Sequence, residues 1–148
     1  MTDFEYMDQA LALAREAADE GEVPVGCVIV RDGEVIGRGR NRREEKQAVF
    51  SHAEMEAMAQ ANETLGSWRL EDCTLYVTLE PCPMCAGAII NARIPWVYYG
   101  ARDREMGACG GMLNLFMERF PHRPALVGGI LAEECRAVLS EFFRELRK

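Results

Sequence analysis

The sequence lacks any run of about eighteen consecutive apolar residues, so it offers no segment long enough to span a membrane. Its first residues, Met1 to Glu5, are acidic and contain no apolar signal core. We therefore expect a cytoplasmic protein. Internal repeats, low-complexity tracts and linkers are also missing, which favours one domain over residues 1–148.

An excess of positive charge is absent as well. The chain has 17 Lys and Arg against 24 Asp and Glu, a formal net charge of -7. This balance argues against a protein that coats nucleic acid without specificity, because such binding depends on many cations meeting phosphates. A local basic surface stays open, since one short segment carries Arg38, Arg40, Arg42, Arg43 and Lys46. A solvated face is the preferred interpretation of any such cluster taken alone.

Six cysteines without an export signal favour metal binding or buried thiols over disulfides. Cys27 and Cys73 lie in apolar, strand-like runs and Cys135 lies in a helical run. We predict that these three are small core residues. Cys82 and Cys85 instead form a Cys-x2-Cys pair.

Hydrophobic periodicity predicts strands and helices in alternation after an opening hairpin at Asp32-Gly33. Five strands are predicted, at residues 25–30, 34–39, 73–79, 94–100 and 125–131. Helices are predicted between the possible cap Thr2 and the stop Gly21, at 51–62, 83–92 and 112–118, and over the final segment from Cys135 to Leu146. Residues 40–50 and 101–111 are expected to be loops. This order implies a layered α/β domain with a mixed sheet.

Two short strings carry the chemistry: His52-Ala53-Glu54 and Pro81-Cys82-Pro83-Met84-Cys85. Each lies at the start of a predicted helix, where the positive end of the helix dipole favours thiolate over thiol. We expect His52, Cys82 and Cys85 to bind one zinc ion. Three protein ligands leave a fourth position for water, as in catalytic rather than structural zinc sites. Zinc-bound hydroxide would then be available near neutral pH.

Glu54 has two interpretations. A carboxylate beside activated water can take a proton and deliver it to a leaving amine. Alternatively, Ser51-x-x-Glu54 is a capping box, in which the carboxylate only bonds back to the helix start. A closed structural site would need a fourth ligand, for which Cys109 and His122 are the candidates, and Cys-x2-Cys also occurs in redox motifs.

The two strings are the signature of the zinc-dependent nucleobase deaminases. Longer strings, from about residue 4 to residue 144, resemble the bacterial TadA-type tRNA adenosine deaminases. These strings are Glu22-Val23-Pro24-Val25-Gly26, Asn41-Arg42, Thr74-Leu75-Tyr76-Val77-Thr78-Leu79-Glu80-Pro81-Cys82, Cys85-Ala86-Gly87-Ala88, Gly100-Ala101-Arg102-Asp103 and Gly129-Ile130-Leu131-Ala132-Glu133-Glu134-Cys135.

The resemblance implies a cytidine-deaminase-like, three-layer α/β fold, with a five-stranded mixed sheet flanked by helices and a homodimeric assembly. It implies hydrolysis of the wobble adenosine in a tRNA anticodon stem-loop to inosine, with one Zn2+ per subunit. Zinc-bound hydroxide would attack the base, and Glu54 would shuttle protons.

Carried over by resemblance, His52, Cys82 and Cys85 bind the zinc. Asn41 hydrogen-bonds the purine, while Val23 and the backbone near Ala53 line the base pocket. Further contacts implied in the same way are Asp103 beside the flanking nucleotides, and Phe142, Phe143 and Arg144 near the RNA. Asn41 and Asp103 are also plausible as turn residues, and we expect at least one of the two phenylalanines to pack in the core.

The chain departs from the family pattern before the metal histidine, where Ala48-Val49-Phe50-Ser51 replaces Asp-Pro and a small residue. Glu105 and Gly111 stand where a lysine and a serine are frequent. One alternative is therefore a deaminase of a free base or nucleoside, such as guanine or cytosine. Another, of a different class, is a zinc-stabilised RNA-binding module without catalysis. Replacing Glu54 by alanine distinguishes these classes. An enzyme should lose activity but keep its zinc, whereas a binding module should be unaffected.

Overall fold

The computed structural model describes residues 1–148. In chain order, its elements are α1 (Asp3–Asp19), β1 (Gly26–Arg31), β2 (Glu34–Arg40), α2 (Arg43–Lys46), α3 (Ala53–Leu65), β3 (Cys73–Leu79), α4 (Pro83–Ala92), β4 (Trp96–Ala101), a 3-10 turn (Leu115–Met117), β5 (Ala125–Val127) and α5 (Ala132–Leu146). None of the helices is both long enough and apolar enough to cross a membrane.

The five strands form one mixed sheet in the order β2-β1-β3-β4-β5. β1 is antiparallel to both β2 and β3, whereas β3, β4 and β5 run parallel. The carboxyl ends of β3 and β4 therefore lie at the same edge of the sheet. The predicted five-stranded mixed sheet flanked by helices is confirmed.

Alternation along β1 divides the core into two layers. Cys27 and Ile29 pack in the cluster that contains the buried residues of α3 and α4. Val28 and Val30 point to the opposite face and pack with α1 and Cys135 of α5. The sheet is thus the middle of three layers, and the predicted burial of Cys27, Cys73 and Cys135 is confirmed.

Glycines bring α3 unusually close to the edge strand β2. A Cβ atom added at Gly37 would collide with the carbonyl oxygen of Ala57, and one added at Gly39 would collide with that of Ala53. The start of α3, which carries His52 and Glu54, is therefore set by backbone contact with β2.

Gly39→Ala should lower the free energy of unfolding by about 1–3 kcal/mol, because the new methyl group must push α3 away from the sheet. Urea denaturation measures this effect. Gly87→Ala is the matched control. Gly87 lies in α4 with nothing within 4 Å of the position of its Cβ, so this variant should be as stable as the unchanged protein or more stable. Equal midpoints for Gly39→Ala and the unchanged protein would contradict the prediction.

Residues 43–46 form the short helix α2, so the predicted loop over 40–50 is wrong in this part. The reason is a tertiary cap. The carboxylate of Glu22, which is buried, accepts the backbone N–H groups of Glu44 at 3.0 Å and Glu45 at 2.7 Å. These two donors belong to the unpaired first turn of a helix.

Other bounds also differ from the prediction. β5 ends at Val127 rather than at residue 131, because Gly128 packs against the ring of Tyr99 and Gly129 adopts a φ of 87°. The predicted helix at 112–118 is only the 3-10 turn Leu115–Met117. On α5, Phe142 is half-buried and Phe143 is exposed, so the expectation that one of them packs in the core is wrong.

Candidate active site

The N-termini of α3 and α4 lie close together. The residue before each helix can bind a metal ion. His52 is the N-cap of α3 and Cys82 is the N-cap of α4. The Nδ1 atom of His52 lies 3.6 Å from the Sγ atoms of both Cys82 and Cys85. Ligands at about 2.0–2.3 Å from one tetrahedral ion lie roughly 3.3–3.8 Å apart. One imidazole and two sulfurs at this spacing therefore fit a zinc ion.

The two thiols differ strongly in acidity. Hydrogen bonds from Cys85 and His52 lower the pKa of Cys82 to about 4, although burial opposes this change. The pKa of Cys85 is raised by the bond it donates to Cys82 and by burial. The pKa of His52 is raised by its hydrogen bond with Cys82. Cys82 thus supplies a thiolate at neutral pH, and a bound cation would favour loss of the second thiol proton.

Glu54 is the second residue of α3, and only 4% of it is exposed. Burial raises the pKa of its carboxyl to about 7 because the charged form loses hydration. A carboxyl with a pKa near neutrality can both accept and release protons at that pH. No side chain caps this helix and its N-cap is His52, so the alternative capping box of Ser51 and Glu54 is wrong.

Asn41 is buried and ties two segments together. Its Nδ2 donates to the backbone oxygen of Val23 at 3.1 Å, and its Oδ1 accepts the N–H of Arg43 at 3.1 Å. These bonds fix the orientation of the amide. A carboxamide has two donor hydrogens and two acceptor lone pairs, so one of each is left over. Asn41 therefore has a structural role in this turn and retains one donor and one acceptor for a ligand.

Ala53 is fully buried against β2, and the half-buried Asp103 lies in the loop after β4. The Oδ1 atom of Asp103 accepts the backbone N–H groups of Glu105 at 3.0 Å and Met106 at 3.1 Å. Asp103 thus also shapes its own turn, as the alternative interpretation expected.

The basic segment around β2 and α2 is largely paired with acids. Arg42 forms a salt bridge with Glu45, and Lys46 lies 2.8 Å from a carboxylate oxygen of Glu56. These contacts favour the interpretation as a solvated face. The segment therefore supplies little free positive charge to a phosphate backbone.

The roles of two buried glutamates were not predicted from the sequence. Glu22 and Glu80 are each 2% exposed. Glu22 accepts backbone N–H groups from the first turn of α2, and Glu80 accepts them from the loop after β4. Their partners lie 22 to 31 residues further along the chain. No local pattern indicates such contacts. The only signal is that a glutamate directly precedes Pro81-Cys82 at the end of a buried strand.

The MafB19-like deaminase family model matches residues 1–147. A tRNA-specific adenosine deaminase of Bacillus subtilis (strain 168) is 51% identical over 144 residues, which are 97% of this chain and 89% of that protein. The chain belongs to the family of bacterial tRNA-specific adenosine deaminases. The resemblance to TadA-type enzymes is thereby confirmed.

Solved structures agree with this family assignment. A structure from a study of A-to-I editing by tRNA:A34 deaminases at the wobble position of transfer RNA is 43% identical, with a TM-score of 0.85. The match covers 91% of the present chain and 99% of the chain in that structure. A guanine deaminase from Bacillus subtilis is 37% identical, with a TM-score of 0.68, over 84% of this chain and 80% of that one. The same fold thus also carries free-base deamination.

Proposed function

We propose that this chain hydrolyses the wobble adenosine of a tRNA anticodon stem-loop to inosine and releases ammonia. The observation that carries the proposal is the cluster of His52, Cys82 and Cys85 next to the buried carboxyl of Glu54. The 51% identity to a tRNA-specific adenosine deaminase supports this substrate over a free base or nucleoside.

We further propose one Zn2+ per subunit, held by His52, Cys82 and Cys85. Their ligand atoms all lie within 4.8 Å of one another. When bound, zinc lowers the pKa of water to about 7 and so supplies a nucleophile at neutral pH. The carboxylate of Glu54 takes one proton from the water that attacks the purine ring. It then gives that proton to the amine nitrogen, so that the bond between this nitrogen and the ring carbon breaks and ammonia leaves, while the second proton of the water passes to the ring nitrogen of inosine.

In this proposal the base enters between Val23 and the start of α3 at Ala53. Asn41 orients the purine with the amide hydrogen that Val23 does not use, and the fixed geometry of that amide supports this role. A base must leave its stack to reach such a pocket. Asp103 would stand beside the flanking nucleotides.

The proposed assembly is a homodimer, as the family resemblance implies. Exposed apolar side chains between residues 49 and 117 are compatible with a partner surface, because monomers rarely leave large apolar patches uncovered. They are Val49, Phe50, Met106, Met112, Leu113 and Met117. Six free thiols and a tRNA substrate favour a cytoplasmic location.

The test mixes the zinc-loaded protein with an anticodon stem-loop that has adenosine at the wobble position. Parallel reactions contain the same stem-loop with guanosine there, and free adenine, guanine, cytosine and their nucleosides. Mass spectrometry of the digested products should show the exchange of an amine for an oxygen only at the wobble adenosine. Turnover of a free base or nucleoside alone would overturn the proposal.

A further inference from the structure

Glu80 is a buried carboxylate directly between β3 and the Cys82 segment. Its Oε1 accepts the backbone N–H of Asp103 at 3.1 Å, and its Oε2 accepts those of Cys109 at 2.9 Å and Gly111 at 2.7 Å. No cation lies in salt-bridge contact with it. Burying an unpaired charge is unfavourable unless hydrogen bonds replace water. Here three charge-assisted bonds to the main chain do so.

The loop 102–111 is built around this carboxylate. A Cβ atom at Gly107 would collide with Oε2 of Glu80, and one at Gly111 would lie 2.7 Å from Oε1. Ala108 N–H also donates to the backbone oxygen of Pro81 at 2.8 Å. The absence of side chains at the two glycines lets the loop close over Glu80 and join the Cys82 segment.

The arrangement connects two parts of the proposed active site. Cys82 follows Glu80 by two residues, and the backbone N–H of Asp103 donates to Oε1 of the Glu80 carboxylate. Any shift of the loop would therefore move Asp103 relative to the reacting base. Two of the three residues in the metal cluster are held by other elements, because His52 is the N-cap of α3 and Cys85 lies in α4.

We propose that Glu80 is a positioning residue. It fixes the loop 102–111 relative to the Cys82 segment, so that Asp103 contacts the nucleotides flanking the reacting base while that base occupies the active site. This inference rests on the proposed function for its substrate. It is distinct from proton transfer, since the Glu80 carboxylate is occupied by main-chain donors.

Glu80→Gln tests the proposal at nearly constant volume, because it turns one acceptor oxygen into an amide group that faces backbone donors. We expect kcat/KM for the anticodon stem-loop to fall about 10- to 100-fold, mainly through KM. The zinc content per chain should equal that of the unchanged protein. Hydrogen exchange followed by mass spectrometry should show faster exchange in residues 102–111 but not in β3. Glu16→Gln is the control, because it makes the same change in charge at an exposed position on α1.

Unchanged KM and unchanged exchange in Glu80→Gln would overturn the proposal, and so would loss of zinc together with activity. Glu80→Asp is the second variant. It keeps the charge but is one methylene shorter, so it should show the same changes to a smaller extent, and it decides the question if Glu80→Gln does not fold. If the unchanged protein fails to act on the stem-loop, the proposed function is wrong, but the exchange experiment still reports whether Glu80 holds the loop.

Discussion

Glu54→Gln should lower kcat for the anticodon stem-loop by about 10²- to 10⁴-fold, the usual range for loss of a general acid–base group. The amide keeps the size of the side chain but can neither accept the proton from water nor pass it to the leaving amine. Because the metal cluster consists of His52, Cys82 and Cys85, the variant should retain its zinc. Single-turnover kinetics and elemental analysis of the same preparation measure both quantities.

Glu56→Gln is the matched control for this prediction. Glu56 lies two residues further along α3, is partly buried and pairs with Lys46, so its replacement makes the same change in charge on the same helix. It should leave kcat within about twofold of the unchanged value, because Glu56 pairs with Lys46 and lies outside the metal cluster. A Glu54→Gln variant with nearly full activity would refute the proton-shuttle role and would favour the RNA-binding module without catalysis.

Cys85→Ala should abolish stoichiometric zinc binding and lower the deamination rate by about 10⁴-fold or more, because the site loses its source of a nucleophile at neutral pH. Cys85 is fully buried, and alanine fits the space it leaves. Added zinc should not restore activity, since two ligands do not hold the ion in a tetrahedral site. Elemental analysis after gel filtration, with a parallel activity assay, measures the loss.

Cys135→Ala serves as the control for thiol loss. Cys135 is equally buried but packs on the opposite face of the sheet, in the cluster with α1. This variant should keep its zinc and its activity. Full zinc occupancy in Cys85→Ala would show that the cluster is not the metal centre, and with it the proposed mechanism would be lost.

Sequence patterns predicted those elements whose signals are local. β3 and α4 have the predicted bounds, because a run of strand-forming residues ends at Leu79 and a proline occupies the first turn of the next helix. α2 was not predictable, because its first turn depends on Glu22, whose backbone partners lie 22 and 23 residues away. The early end of β5 depends on the ring of Tyr99 in a neighbouring strand.

The same distinction applies to the site. Motif spacing alone predicted that His52, Cys82 and Cys85 bind one ion, since each motif lies at the start of a helix and zinc has narrow ligand preferences. The structure brings the three together, as the spacing indicated. The hydrogen bond from Asn41 to Val23 depends on a contact that only the folded chain creates. The same is true of the bonds that Glu80 accepts from the backbone N–H groups of residues 103, 109 and 111.

The inward anchoring of the loop after β4 has an evolutionary consequence. Hydrogen bonds to the buried carboxylate of Glu80 fix its main chain. The side chains of Arg104, Glu105 and Met106 are exposed at the rim of this loop. Mutations at these rim positions can accumulate without dismantling the scaffold. In the proposed function, exchanging these outward-facing side chains would change which nucleic acids the enzyme accepts while its deamination chemistry stays the same.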